Sequence, residues 1–148
     1  MEIKTSRRKT SCIMAVSLAA GLALGSMGAD TLAGTAPPME HKGLVVEPLG
    51  HVSSQSMQAQ IGLTGKKLQL RAITIEPGGQ IAKHSHATRP GLVKVISGKW
   101  TEGRPDGETV VAAADPTAIR EDRDTVHWFW NRGSEPATAI VCDIVAAE

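Results

Sequence analysis

Residues 78–98 read GGQIAKHSHATRPGLVKVISG and contain two histidines separated by one residue. On a β-strand, residues i and i+2 point to the same face, so the imidazoles of His84 and His86 can reach one point in space. A third histidine, His127, lies in the strand-like segment TVHWFWN at residues 125–131. Two inward histidines from one strand and a third from a distant strand form a ligand set typical of zinc, iron, nickel or copper.

The segment at residues 125–131 has two contrasting faces. Strand alternation places His127 and Phe129 on one face and Trp128 and Trp130 on the other. If no other sheet covers the tryptophan face, the two rings form an exposed aromatic patch of the kind that marks interfaces. Packing of these rings between two sheets is the alternative.

The chain from residue 44 onward consists of short β-type runs broken by turn residues, a pattern typical of an all-β sandwich or barrel. The predicted runs are 44–48, 57–63, 67–75, 80–86, 91–97, 99–103, 108–113, 117–120, 125–131 and 137–145. Asp106-Gly107 predicts a type I′ hairpin turn, whose two central residues both need positive φ. No stretch here keeps a 3.6-residue apolar period long enough for a substantial helix.

The two histidine segments resemble the two motifs of the cupin superfamily. Its first motif runs glycine, five residues, His-x-His, three or four residues, glutamate, six residues, glycine, and residues 78–98 have this spacing. Its second motif ends with histidine, three residues and asparagine, as in His127 to Asn131. The similarity covers residues 68–145 and implies a single all-β cupin domain over 44–148. The expected fold is a double-stranded β-helix, also called a jelly-roll barrel.

One departure from the cupin pattern affects the expected chemistry. Gly91 occupies the position of the family's glutamate ligand. The resemblance therefore implies that His84, His86 and His127 alone hold one divalent ion of iron, manganese, zinc, nickel or copper, with positions open to water or substrate. The residues expected to line the pocket beside that ion are Gly91, Val93, Val95 and Phe129.

The resemblance implies a metal-dependent small-molecule enzyme, since cupins with three-histidine iron sites include thiol and diketone dioxygenases. A non-catalytic cupin that binds a small molecule or a metal is the alternative. Sugar epimerases of this fold use a tyrosine, which this chain lacks. The catalytic residues do not follow from the sequence. Arg89 is a candidate for binding a substrate carboxylate, with a solvent-facing charge as the alternative.

Residues 1–29 predict a cleaved export signal. Lys4, Arg7, Arg8 and Lys9 precede an uncharged run over residues 13–29 that is too short and too rich in small residues for a stable membrane anchor. Arg7-Arg8 indicates the twin-arginine route as an alternative to the general secretory route. We therefore expect a periplasmic or secreted protein, with residues 30–43 as a flexible linker.

The remaining composition limits the partners. Without residues 1–29 the chain has 12 basic and 14 acidic residues and no basic stripe, so nucleic acid is not an expected partner. The charged run at 120–124 predicts a solvated loop, and His41 and His51 are expected to be ordinary surface residues. Cys142, in an apolar run, predicts a buried core thiol. A small-molecule substrate or ligand is the expected partner. The resemblance to cupins also implies a homodimer.

Overall fold

The computed structural model describes residues 36–147, so the predicted signal peptide at 1–29 lies outside it. Among these residues, no helix is long and apolar enough to cross a bilayer. The elements in chain order are β1 (Lys42–Val52), α1 (Ser54–Ile61), β2 (Lys66–Ser85), β3 (Gly91–Ser97), β4 (Lys99–Arg104), β5 (Gly107–Ala112), β6 (Ile119–Glu121), β7 (Val126–Trp130) and β8 (Ala137–Ala146). The fold is therefore mostly β, as the sequence predicts.

The strands form one eight-stranded sheet in the order β5-β4-β7-β2-β8-β3-β6, and β1 pairs with β2. β2 is a single 20-residue strand where the sequence predicts two. Its first half pairs with β1 and β8 and its second half with β7. The strand bends at Gly78, whose φ of 70° favours glycine. The sheet curls into a half-barrel, consistent with a cupin jelly roll.

The concave face of the sheet holds the apolar core. The buried cluster comprises Ile73, Ile75, Ile81, Val93, Val95, Trp100, Ile119, Phe129, Ala137, Ala139 and Val141. Trp100 is almost completely buried, and its indole nitrogen donates to the carbonyl of Ala137 at 2.9 Å. Each large side chain removed from water contributes roughly 1.5–3 kcal/mol to the free energy of unfolding. The core therefore stabilises the strands that position the histidines.

The predicted strand at 57–63 is wrong, because most of this segment belongs to helix α1. Ser53 caps the helix by accepting from the backbone N–H of Ser56 at 3.2 Å. Gly62 ends it with a φ of 71°, and its N–H donates to the carbonyl of Gln58. Serine and glycine at these two positions outweigh the short apolar run on which the strand prediction rested.

The turn between β4 and β5 also differs from its prediction. Arg104 pairs with Gly107, so the two central residues are Pro105 and Asp106. No described non-glycine residue has a positive φ, which excludes a type I′ turn with Asp106 at its centre. Pro105, whose ring fixes φ near −65°, suits the first central position of an ordinary turn.

Of the two alternatives for the tryptophan face, the exposed patch is excluded, and the expectation that Cys142 is a buried core thiol is wrong. Trp128 and Trp130 are 5% and 8% exposed, so they form no exposed patch. The Trp128 ring lies over Gly103 of β4, where a Cβ atom would overlap the indole. Cys142 is half-buried on the outer face of β8, because its neighbours Val141 and Asp143 take the inward positions.

Asn131 offers a test of the fold, because its buried amide joins β2 to the turn after β7. Its nitrogen donates to the carbonyls of Ile75 and Glu135, and its oxygen accepts from the N–H of Gly133. We expect Asn131→Ala to lower the free energy of unfolding by roughly 2–4 kcal/mol, because buried carbonyls lose their donors. Urea denaturation measures this, with the exposed Ser134→Ala in the same turn as control. Equal midpoints for the two variants would contradict the prediction.

Candidate metal centre

Three strands bring the histidines and one carboxylate together at one end of the half-barrel. In the antiparallel pairing of β2 with β7, His84 lies directly opposite His127. His86 follows the last residue of β2, and Glu121 ends β6, opposite Gly91 of β3. One potential ligand atom from each of the four side chains lies within 4.8 Å of the other three. The structure therefore brings together the three histidines that the sequence predicts, and adds Glu121.

The distances within this cluster suit the coordination sphere of a divalent ion. The Nε2 atoms of His86 and His127 are 3.1 Å apart. Glu121 Oε1 lies 3.3 Å from His86 Nε2 and 3.5 Å from His127 Nε2. Ligands bound at about 2.1 Å in tetrahedral or octahedral geometry stand roughly 3.0–3.4 Å apart. The ligand atoms of His86, His127 and Glu121 thus already have the spacing that a metal requires.

Each imidazole is oriented by an acceptor outside the cluster. His84 Nδ1 lies 2.8 Å from the carbonyl of Ala82, and His86 Nδ1 lies 2.8 Å from the carbonyl of Arg89. A carbonyl only accepts, so Nδ1 carries the proton in both rings. Their Nε2 atoms then carry no proton and keep the lone pair that a cation could use. Hydrogen bonds of this kind fix the tautomer and ring direction of metal-binding histidines.

The third imidazole has a carboxylate as its outer partner. His127 Nδ1 lies 2.8 Å from Oε1 of Glu102, a buried residue of β4. Arg104 donates to the same oxygen at 2.7 Å. Burial would raise the pKa of Glu102, but the hydrogen bonds from His127 and Arg104 outweigh it, so the pKa is lowered. Glu102 is therefore an anion that holds His127 in place, and no sequence motif pointed to it.

The electrostatics of the cluster differ among the three histidines. Burial lowers the pKa of His84 to about 4, with the positive charges of His127 and His86 acting in the same direction. Burial is also the main reason that the pKa of His86 is lowered. At His127 burial acts in the same sense, but Glu102 and Glu121 outweigh it and raise the pKa. Without a metal, His127 can therefore donate its Nε2 proton to His86, and a cation would take the place of that proton.

Glu121 lies where the sequence predicted a solvated loop, and it is only 3% exposed. Pairing of β6 with β3 turns Ile119 and Glu121 inward and leaves Arg120 outside. A Cβ atom on Gly91 would overlap Oε2 of Glu121. The glycine that removes the family's usual glutamate therefore makes room for a carboxylate from the neighbouring strand. Oε2 is buried beside Gly91 without a hydrogen-bond partner, whereas Oε1 faces the ring nitrogens of His86 and His127.

A cavity of about 280 Å³ adjoins the cluster. Of the four residues predicted to line a pocket, Val93 and Phe129 line this cavity, whereas Val95 lies in the core and Gly91 packs against Glu121. The other lining residues are His41, Leu44, Val46, Arg71, Ile73, Ile81, His84, Arg89, Trp100, Glu121, Val141 and Asp143. A ligand in this cavity would reach both His84 and Glu121.

Of two residues near the cavity, His41 is more than the ordinary surface residue expected from the sequence, whereas Arg89 lies where its candidate role in ligand binding requires. His41 is exposed, yet its Nδ1 accepts from the backbone N–H of Ala82 at 3.1 Å, so the ring is tied to β2. Arg89 points to the cavity instead of only to solvent, and its Nε lies 3.7 Å from Asp143. The cavity therefore has polar groups on the side opposite its apolar wall.

Comparisons with known proteins agree with this architecture. A family model described as a cupin domain matches residues 71–143, whereas no curated protein matches the sequence. A similar solved structure is the cupin domain of an XRE family transcriptional regulator from Enterobacter cloacae, with 18% identity and a TM-score of 0.52 over 72% of this chain and 100% of that chain.

Two further solved structures belong to proteins of other kinds. A predicted oxalate decarboxylase from Thermotoga maritima is 14% identical, with a TM-score of 0.53 over 76% of this chain and 95% of its own. The polyketide cyclase RemF from Streptomyces resistomycificus is 17% identical, with a TM-score of 0.55 over 74% of this chain and 70% of its own. At these identities the likeness shows the fold alone.

The pair Gly91 and Glu121 yields a prediction about metal affinity. We expect Glu121→Gln to weaken zinc binding at least about 100-fold, because it removes the anionic ligand. Gly91→Ala should weaken binding in the same direction, because its methyl group displaces the Glu121 carboxylate. Competition with a chromogenic chelator measures both. Gly50→Ala is the control, because a methyl group there meets no atom within 4 Å. Unchanged zinc affinity in both site variants would exclude Glu121 as a ligand.

Glu102 yields a separate prediction, because it contacts a ligand and not the metal. We expect Glu102→Gln to weaken zinc affinity roughly 10- to 100-fold, since it removes the anion that orients His127. The exposed Glu108→Gln, on the adjoining strand, serves as the control in the same titration. A Glu102→Gln variant with the affinity of the unaltered protein would show that the Glu102–His127 hydrogen bond does not support the site.

Proposed function

The chain belongs to the cupin superfamily, and we propose that it is a metal-dependent enzyme acting on a small molecule. In this proposal His84, His86, His127 and Glu121 hold one divalent cation, and the substrate enters the adjoining cavity. The observation that carries the proposal is the convergence of three oriented imidazoles and the Glu121 carboxylate next to that cavity, which His84 and Glu121 line.

The donor set fits several cations. Imidazole nitrogens suit zinc, iron, nickel and copper, and a single carboxylate also admits manganese. When bound, such a cation supplies Lewis-acid polarisation of a substrate oxygen and, with a redox-active metal, oxidation chemistry. The three histidines contribute no net charge as ligands, and Glu121 contributes one negative charge. The centre would therefore keep a net positive charge that attracts an anionic substrate group.

The remaining residues of the chain position and shield the reactants. Glu102 holds the His127 ring through its Nδ1 proton, and the backbone carbonyls of Ala82 and Arg89 hold the other two rings. Val93 and Phe129 give the cavity an apolar wall, which excludes water from one side of the ligand. His41 accepts at Nδ1, so its neutral form carries a proton at Nε2 that can be donated to a ligand.

A dioxygenase is the reaction class that we propose first. The resemblance to thiol and diketone dioxygenases supports it, as does an open cavity beside the cluster. A non-catalytic binding module is the second candidate. It is favoured by the state of Asp143, a cavity carboxylate that is already engaged by Gln69 and Arg71 and is not free to act as a base. Oxygen uptake by the iron-loaded protein with acetylacetone or cysteine as probe would favour the enzyme.

Export of the protein is part of the same proposal. Residues 1–29 carry the composition of a cleaved signal, with cleavage after Gly28 or Ala29. Mass determination of the protein recovered outside the cytoplasm would locate the new N-terminus. The homodimer stays a prediction.

The proposed function predicts that the protein carries about one equivalent of a transition metal. Elemental analysis of protein purified without a chelating tag measures this, beside a double variant with His84→Ala and His127→Ala. We expect the double variant to lose the metal, because two ligands are removed. The exposed His51→Ala should keep it. A metal-free parent that also fails to bind added zinc, iron or manganese would contradict the proposal.

A further inference from the structure

An arginine and an aspartate interrupt the apolar inner face of the half-barrel next to the candidate metal centre. Arg71 continues the inward row of β2 that includes the buried Ile73 and Ile75. Asp143 continues the inward row of β8 and is 1% exposed. Charged residues are seldom placed inside a barrel unless they are paired or bind a ligand. Both of these line the cavity.

The aspartate holds two guanidinium groups at the cavity wall. Its Oδ2 accepts from Arg71 Nη2 at 2.9 Å and lies 3.7 Å from Arg89 Nε. Its Oδ1 accepts from Gln69 at 3.0 Å. Asp143 therefore uses both oxygens on neighbouring side chains and fixes where the two arginines lie.

Both arginines have donors that the protein leaves without a good partner. Arg71 Nε is buried and makes no hydrogen bond, which is unfavourable unless a ligand accepts from it. Arg89 Nη2 lies 3.4 Å from His86 Nε2, a long contact. In the proposed function that histidine nitrogen binds the cation, so it could no longer accept from Arg89. A cation and a guanidinium this close repel each other unless an anion lies between them.

The net charge around the cavity also favours an anionic ligand. Its charged lining residues are Arg71, Arg89, Glu121 and Asp143, which sum to zero. A divalent cation raises this sum to +2. A pocket with that charge favours an anionic ligand, and guanidinium groups match carboxylates in shape and donor geometry.

We propose that the substrate of this cupin is a small carboxylic acid, whose carboxylate is bound by Arg71 and Arg89 beside the metal. This inference rests on the proposed function. The carboxylate accepts from Arg71 Nε and from the outer nitrogens of Arg89, and separates Arg89 from the cation. The apolar part of the acid packs on Ile73, Val93 and Phe129, which line the same cavity. Asp143 is a positioning residue that orients the two arginines.

Isothermal titration calorimetry of the zinc-loaded protein tests this proposal with matched pairs of probes. Acetate and benzoate carry the carboxylate, whereas acetamide and benzamide have nearly the same shape without the charge. We expect at least one acid to bind about 10-fold or more tightly than its amide, because only the acid pairs with the guanidinium groups. Arg89→Gln and Arg71→Gln should each weaken binding of that acid about 10-fold or more.

Arg120→Gln is the control, since Arg120 is 78% exposed and pairs with Asp122 outside the cavity. Arg89 is more exposed than Arg71, so its variant keeps the test valid if Arg71→Gln fails to fold. Equal affinity for acids and amides, no binding of either acid, or affinities unchanged in Arg89→Gln would overturn the proposal. Zinc content is measured on every sample. Failure of the unaltered protein to bind zinc would refute the proposed function. Full zinc content in the unaltered protein and in the arginine variants, without arginine-dependent binding of an acid, would refute the carboxylate site alone.

Discussion

The candidate metal centre depends on the hydrogen bonds that the Nδ1 atoms of three imidazole rings make outside the cluster. His84 and His86 each direct Nδ1 to a backbone carbonyl, and His127 directs it to Glu102. These partners are fixed by the sheet, so the three Nε2 atoms converge without any cation to gather them. Side chains that are oriented before binding lose little freedom when a ligand arrives. Without a metal, a proton shared between His127 and His86 occupies the centre of this group, and a cation would take its place.

The inner face of the half-barrel has an apolar part and a polar part. One part of the inner face is apolar and includes Trp100 and Phe129, whose ring centroids lie 5.1 Å apart. The other part carries the histidines, Glu121 and the group formed by Arg71, Asp143 and Arg89. The core gives the strands their register, and the register places the polar groups. The stability of the apolar part therefore allows the polar part to remain incompletely paired until a ligand binds.

Much of the site could be predicted from the sequence, because strand geometry is regular. Spacing of two places His84 and His86 on one face, and the cupin motif places His127 near them. Glu121 could not be found in this way. It lies in a charged run whose composition favours a loop, and only the pairing of β6 with β3 turns it inward. Gly91 was a correct sign that the usual glutamate is absent, but not that a neighbouring strand supplies the carboxylate. Arg71 and Glu102 were missed for the same reason, because long-range pairing decides which side of a strand faces the cavity.

The central claim is that one cation is bound by the three imidazoles together with Glu121. The most direct measurement is a crystal structure of the zinc-loaded protein, with anomalous diffraction collected on both sides of the zinc absorption edge. The account predicts one anomalous peak about 2.0–2.2 Å from the Nε2 atoms of His84, His86 and His127 and from an oxygen of Glu121. A peak at another place, or a zinc ion on the histidines with Glu121 turned away from it, would contradict the account.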